Sequence, residues 1–312
     1  MFTLAHLSDT HLGPLPRARL REYFGAGNRK RLLGRLSWSL NRSRVHLSAV
    51  VDALRADVRA QAPDHVAITG DLINISLEKE FENALRWLND FGAADWISVI
   101  PGNHDAYVPL PYDRAAGLWS SYMSDDQAAS SGGGTEPFPY VRRRGPVALI
   151  GLSTAVPSPP GFATGRLGTA QIDRLDSRLG QLAGETSPPF RVVLIHHPPL
   201  AGQNRYRKKL LDLDDLEPVL RRHGAELVLH GHNHRDMCQW YRGASNPVPV
   251  LGVPSASAGL VFHNKPCAQY NLYAIGRTGG AWSCRVTVRG FDPDTRDFTM
   301  IRQFDLAPAA PA

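Results

Sequence analysis

Over the first three-quarters of the chain, short apolar runs alternate with stretches of helical periodicity. Phe2–Ser8 is an apolar run that ends in Asp9-Thr10-His11. Between residues 45 and 61, Leu47, Val50, Val51, Leu54 and Val58 recur at helical spacing, and Pro63 closes the segment. His65–Thr69 reads as a strand ending in Gly70-Asp71. Glu80–Phe91 reads as a helix with Phe81, Leu85 and Leu88 on one face, and Trp96–Ile100 as a strand ending in Pro101-Gly102-Asn103-His104-Asp105. The form then repeats. Val147–Leu152 is a strand, Thr169–Leu182 a helix, and Arg191–Ile195 a strand ending in His196-His197-Pro198-Pro199. Leu213–His223 is a helix, and Glu226–Leu229 a strand ending in His230-Gly231-His232-Asn233-His234. Beyond Pro247, strand candidates at Val248–Val253, Gln269–Ile275, Ser283–Arg289 and Phe298–Phe304 succeed one another with no helix between them.

Alternating strand and helix, and then a run of strands, predict an α/β fold. The expected layout is one domain over residues 1–307, with a helical insert at 14–45. Strands in 247–307 complete its second sheet, and a frayed tail occupies 308–312. Ser124–Pro139, with its Gly132-Gly133-Gly134 run, and Ser153–Gly168 read as surface loops.

Composition narrows the class. The chain has 312 residues, 43% hydrophobic and 21% charged, as in an ordinary globular protein. No run approaches the roughly 20 apolar residues of a membrane span, and residues 1–6 lack the basic start of a signal peptide. Cys238, Cys267 and Cys284 are odd in number and widely spaced, so reduced, buried thiols in a cytoplasmic protein are expected. The formal charge of +6 is uneven. Nine Lys/Arg fall between Arg17 and Arg44 against one acid, Glu22, which makes the excess a local patch.

Candidate chemistry lies at the strand ends. Five predicted strands stop abruptly in Asp, His or Asn, most beside glycine or proline, and ligands of open α/β sheets bind outside the carboxyl ends of strands. Asp9-x-His11 and Gly70-Asp71 are weak signals alone, since plain turns use the same residues. Gly102-Asn103-His104-Asp105 should arise by chance in roughly one in a thousand chains of this length, and Gly231-His232-x-His234 in roughly one in a hundred. Carboxylates, imidazoles and one amide without thiolates suit Mn, Fe, Zn or Ni. Seven such side chains exceed what one tetrahedral zinc needs, so two ions sharing a bridge are expected.

The order D-x-H, G-D, G-N-H-D, H-x-P, G-H-x-H, complete from Asp9 to His234, resembles the calcineurin-like metallophosphoesterases, and Asn74 after Gly70-Asp71-Leu72-Ile73, with the His196-His197-Pro198-Pro199 run, looks most like their bacterial phosphodiesterase-like branch. The resemblance implies a four-layer α/β/β/α sandwich of two mixed sheets flanked by helices. It implies two divalent ions (Mn, Fe or Zn), one held by Asp9, His11 and His234, the other by Asn103, His196 and His232, with Asp71 as bridge. His196 is preferred to His197 as the ligand two residues before a proline. It further implies in-line attack of a metal-bound hydroxide on a phosphoester. His104 would protonate the leaving oxygen or bind a phosphate oxygen. Where the protein-phosphatase branch has an aspartate three residues after the bridging one, this chain has Asn74, which is expected to position substrate. His197 is expected to support a ligand or face substrate. Asp105 would orient its surroundings. His6 and His230 read as core-edge residues, and His46, His65, His223 and His263 as structural or exposed.

Within the basic insert, Arg29–Leu40 places Leu32, Leu33, Leu36 and Leu40 on one helical face, with Trp38 nearer the flank. Residues 17–44 could dock on an anionic membrane. They could instead cover the mouth of the site, or pack their leucines on the core beneath a solvated basic face. Nucleic acid fits less well. The substrate expected is a phosphodiester or phosphomonoester, with nucleotides and phospholipid headgroups as candidates. A DNA-repair-type nuclease is the alternative, although no DNA-capping domain or coiled coil is visible. A non-catalytic metal-binding scaffold is the other, although the ligands and His104 are all present.

Overall fold

A computed structural model describes residues 1–19, 21–24, 29–126, 138–243 and 247–306. The expected tail at 308–312 and most of the glycine-rich loop before Pro139 lie outside the described residues. The N-terminal half runs β1 (Phe2–Leu7), α1 (Arg21–Phe24), α2 (Arg29–Ser37), α3 (Ser43–Val45), α4 (Ser48–Ala60), β2 (His65–Ile68), α5 (Glu78–Phe91), β3 (Ile97–Val99), β4 (Tyr140–Arg144) and β5 (Val147–Gly151). Then come α6 (Thr169–Ala183), β6 (Phe190–Leu194), α7 (Leu213–His223), β7 (Leu227–His230), β8 (Met237–Tyr241), β9 (Val248–Gly252), β10 (Gln269–Thr278), β11 (Ala281–Phe291) and β12 (Phe298–Asp305).

Two six-stranded mixed sheets form, in the orders β12-β11-β10-β1-β2-β3 and β4-β5-β6-β7-β9-β8. In the first, β1, β2 and β3 are parallel and β10 runs antiparallel to β1. In the second, β5, β6, β7 and β9 are parallel between antiparallel edge strands β4 and β8. The C-terminal strands therefore do not all complete one sheet. β9 pairs with β7, whereas β10–β12 extend the sheet that contains β1.

Side-chain alternation makes the layers. On β6, Val192 and Leu194 join the large core between the sheets, while Val193, and Ile195 just beyond the strand, face a second core with α6 and α7. β5 divides likewise, with Val147 and Leu149 on one side and Ala148 and Ile150 on the other. Helices α4 and α5 bury Val50, Leu54 and Val58, and Phe81, Leu88 and Phe91, against the first sheet. The result is the α/β/β/α sandwich.

The insert departs from expectation. Helix α2 buries Lys30, Arg31 and Gly34 and leaves Leu33 and Leu36 more than half exposed, as is Leu40 in the turn that follows. Arg31 is stitched to main-chain carbonyls, donating from Nε to Ile75 (3.2 Å), from Nη1 to Glu22 (3.0 Å), and from Nη2 to Ser76. Lys30 Nζ donates to the Ser158 carbonyl at 2.8 Å. Hydrogen-bonded cations, not leucines, seat this segment on the body, which overturns the leucine-packed reading. Only Cys284 of the three thiols is buried, and Cys238 is exposed on the edge strand β8.

Candidate metal centre

The parallel strands deliver their polar ends to one place. Asp9 and His11 come just after β1, Asp71 after β2, Asn103 and His104 after β3, His196 after β6, and His232 and His234 after β7. A parallel bridge between Ser8 and Ser255, and the Ser255 hydroxyl donating to the Asp9 carbonyl at 2.6 Å, tie the two sheets together there. Asp9, His11, Asp71, His232 and His234 all hold left-handed backbone, with φ between 40° and 68°. Two glycines admit the close approach. A Cβ on Gly102 would meet the Asp71 carboxylate, and one on Gly231 would meet the Ser8 hydroxyl and the Asp9 carboxylate.

The seven residues expected to hold metal converge. His11 Nε2 lies 3.9 Å from Asp9 Oδ1, 4.0 Å from Asp71 Oδ2 and 3.3 Å from His234 Nε2. On the other side of Asp71, His196 Nε2 lies 3.3 Å from both Asp71 Oδ2 and Asn103 Oδ1, and His232 Nδ1 lies 2.8 Å from the same amide oxygen. Except for the part-exposed His234, all of them are buried.

These donors fit a cation. His196 Nδ1 donates to the Thr69 carbonyl (2.6 Å), which leaves Nε2 bare toward the site in the neutral ring. His232 Nε2 lies 3.0 Å from the Lys208 carbonyl while its Nδ1 faces the Asn103 oxygen, and one ring proton cannot serve both. Asp9 Oδ1 is buried with no hydrogen bond, although His234 Nε2 stands 2.9 Å away. Lone pairs pointing at lone pairs in a buried space are the signature of a positive charge to be supplied.

The electrostatics agree. Burial would raise the Asp9 and Asp71 carboxyls, but the neighbouring imidazoles hold both below their ordinary value. Burial keeps His11, His232 and His234 in the neutral form that binds metal. His196 is the exception. Burial lowers it, yet the Asp71 carboxylate outweighs burial and raises it to about 9, so its proton stands where a cation would. Burial and the Asp71 charge push Asp105 up to about 8, although it accepts from the Asp71 and Gly102 N–H groups, both at 2.8 Å, and so clamps two of the loops.

Asn74 and His197, both candidates for contact with substrate, do not line the pocket. The Asn74 side chain is fully buried and donates to the Leu12 carbonyl at 2.9 Å, so it does not reach substrate space. Its main-chain carbonyl instead accepts from His104 Nδ1. His197 is also fully buried, bonded to Thr154 Oγ1 (2.7 Å) and the Ala163 carbonyl (3.1 Å). Its ring packs 4.3 Å from that of His232, which it props.

His104 does line the cavity, a pocket of about 500 Å³ bounded also by Asp71, Asn103, His232 and His234. Its backbone N–H donates to Asp71 Oδ1 at 2.7 Å, and its ring stacks on Tyr107. Burial, with Arg42 nearby, lowers it to about 4. Apolar Leu33, Phe162, Leu260 and Phe262 also line the cavity, and Lys30, Lys208 and Lys265 add positive charge.

Two pocket residues escaped the sequence reading. Arg42 comes from the insert and lies beside His11 and His104. His46, expected to be structural or exposed, is buried with its Nδ1 2.8 Å from Ser257 Oγ and forms a three-imidazole group with His11 and His234. Neither belongs to a motif, and Arg42 is one of nine cations in its segment.

A family model described as calcineurin-like phosphoesterase matches residues 2–236. A probable cyclic nucleotide phosphodiesterase of Synechococcus sp. is 27% identical over 210 residues, covering 66% of this chain and 69% of the relative. A glycerophosphodiester phosphodiesterase, GpdQ, of Enterobacter lignolyticus is 27% identical over 265 residues, covering 80% and 78%. Among solved structures, a dimetal phosphatase from Danio rerio superimposes with a TM-score of 0.60 at 12% identity over 98% of each chain, a likeness of fold.

Proposed function

The chain belongs to the calcineurin-like phosphoesterase family, and from that premise we propose that it hydrolyses a phosphodiester, with phosphomonoesters as lesser substrates, at a dinuclear centre. One observation carries this reading. Asp71 Oδ2 stands between two buried donor groups, 4.0 Å from His11 Nε2 and 3.3 Å from His196 Nε2. In the proposed assignment Asp9, His11 and His234 hold one ion, Asn103, His196 and His232 the other, and Asp71 bridges. The N/O donor set suits Mn, Fe or Zn. Bound there, such ions supply Lewis acidity and a water that ionises near neutral pH.

The chain's own residues orient and protonate. His104 keeps its Nδ1 proton on the Asn74 carbonyl, so a second proton goes to Nε2. An anionic phosphate beside the ring favours that second proton, which can then pass to the leaving oxygen or bind a phosphate oxygen. The preference for diesters is supported by the names of the two relatives and by the apolar part of the pocket lining, with room for a second ester group. Nucleotides and phospholipid headgroups are the substrate classes proposed. A DNA-repair-type nuclease and a non-catalytic scaffold remain the alternatives that assay must separate.

The test uses protein stripped of metal and refilled with Mn²⁺, on bis(p-nitrophenyl) phosphate beside p-nitrophenyl phosphate, with His104→Ala as control. Metal-dependent diester cleavage lost in the variant is expected. Inactivity on both esters with two ions bound would leave the scaffold.

A second reading concerns the surface. Among the described residues no helix is long and apolar enough to cross a membrane. Leu33, which lines the pocket, and Leu36 and Leu40 are exposed in a basic segment, which supports peripheral contact of 17–44 with an anionic membrane. Co-sedimentation with anionic vesicles that a Leu36→Ser, Leu40→Ser double variant leaves unchanged would sink it.

A further inference from the structure

We propose that Arg42, lent to the pocket by the helical insert, is the residue that binds the phosphoryl oxygens of the substrate; the proposal rests on the phosphoesterase reading and deepens it. Arg42 closes a π-helical turn, Trp38–Arg42, between α2 and α3. Such turns hold one extra residue per hydrogen-bonded ring and rotate the next side chains about the helix axis. This one is anchored by Trp38, which is buried and stacked 6.2 Å from the His46 ring. The guanidinium carbon lies 5.8 Å from the Trp38 ring centre, and the fork enters the site.

The groups it meets there are imidazole nitrogens, not anions. Nη2 lies 2.9 Å from His11 Nδ1, and Nη1 lies 3.5 Å from His104 Nδ1. Each of those nitrogens already faces a main-chain carbonyl, Ile73 at 3.2 Å for His11 and Asn74 for His104. A neutral imidazole nitrogen that donates to a carbonyl cannot also accept from arginine. If His11 offers Nε2 to a metal, its Nδ1 must carry the proton, and the Arg42 contact becomes donor against donor.

Among the described residues no carboxylate stands within ion-pair distance of the guanidinium, although the Asp71 charge offsets part of its burial from farther away. Asp71 is the one carboxylate lining the pocket, and it already faces His11 and His196. An arginine stays charged under ordinary conditions, and a desolvated guanidinium without an anion is costly. Its planar fork matches two oxygens of a phosphate. Lys30, by contrast, is spent on Ser158 and the Tyr107 ring. The arrangement is that of a cation placed in advance for an oxyanion, beside the histidine proposed to protonate the leaving group.

The test compares Arg42→Gln and Arg42→Lys with the parent in the full, Mn²⁺-loaded chain. It reads KM and kcat on both chromogenic esters, the affinity for inorganic phosphate by calorimetry, and metal content by elemental analysis. The expected result is a rise of roughly 10- to 100-fold in KM and in the phosphate dissociation constant for Arg42→Gln, as for loss of a charge-assisted hydrogen bond. Arg42→Lys should recover part of the loss, and millimolar guanidinium should rescue Arg42→Gln, which a merely structural role would not permit. Should Arg42→Gln fail to fold or lose metal, Arg42→Lys, which keeps the charge without the fork, must still bind phosphate several-fold more weakly than the parent. KM and phosphate affinity within about twofold of the parent in a folded, metal-loaded variant would overturn the proposal. A parent that cleaves neither ester but binds phosphate through Arg42 would instead sink the phosphoesterase reading alone.

Discussion

His104 donates its Nδ1 proton to the main-chain carbonyl of Asn74, while the Asn74 side chain turns the other way and bonds the Leu12 carbonyl. The histidine is thus oriented by backbone, and the identity of the side chain at position 74 does not set its tautomer. Asn74→Ala should keep kcat within about threefold of the parent and cost about 1 kcal/mol of stability, the worth of one hydrogen bond. His104→Ala should lower kcat by roughly 10²- to 10⁴-fold. Diester turnover and denaturant unfolding measured on both variants decide; equal losses of kcat would return a chemical role to the asparagine amide.

A methyl group at Gly231 collides with Ser8 and the Asp9 carboxylate, and one at Gly102 with the Asp71 carboxylate. Each alanine variant should lose about 1–3 kcal/mol to overpacking and bind less than the full complement of metal. Gly184→Ala, where the nearest atom is 3.5 Å away at a φ of −81°, is the control that should do neither. Full metal occupancy in Gly231→Ala would show that Asp9 is free to move.

Chelation should lower the melting temperature, because ions that bind only the folded state stabilise it by about 2.7 kcal/mol at a hundred times Kd. Refilling with Mn²⁺ should restore it. Asp71→Asn should abolish most of that metal dependence, since both donor groups share this carboxylate. A scanning calorimeter trace indifferent to chelator would contradict the ligand assignment.

Acid should destabilise the fold below about pH 6.5, partly through His6 and His65. Both are fully buried, and burial lowers each to about 3. Each ring bonds a hydroxyl through Nε2, Thr69 and Ser98 respectively, and leaves Nδ1 with no partner. A second proton would therefore be buried unsatisfied. With the folded value below the unfolded one, the unfolded chain binds more protons between about pH 6.5 and 3, so stability falls as pH drops through that window. Each histidine should cost roughly 1 kcal/mol between pH 7 and 5.5. Denaturant midpoints across that range read it, and His65→Gln should flatten the slope.

The elements and the strand-end motifs were legible because periodicity and turn chemistry are local. The features that escaped depend on tertiary partners. Strand β4 carries three consecutive arginines, Arg142-Arg143-Arg144, of which Arg142 is buried and bonds the Ala94 and Ile97 carbonyls at 2.7 and 2.8 Å. In α2 the same logic inverts the helix, since carbonyl-lined space beneath it accepts arginine better than leucine. Arg42 and His46 enter the pocket only because a π turn and the Trp38 packing aim them there. Asn74 and His197 lie beside motifs but face away from the cavity, and their direction is not written in spacing.

The left-handed backbone shared by Asp9, His11, Asp71, His232 and His234 makes the site easy to lose and hard to regain. Each such position costs about 1 kcal/mol for a residue with a Cβ. A glycine at any of the five would relax the chain and delete a donor in the same step. Once the donors no longer confer an advantage, drift toward a sturdier, inert descendant runs downhill. The reverse path requires several strained side chains to return together before any one of them is useful.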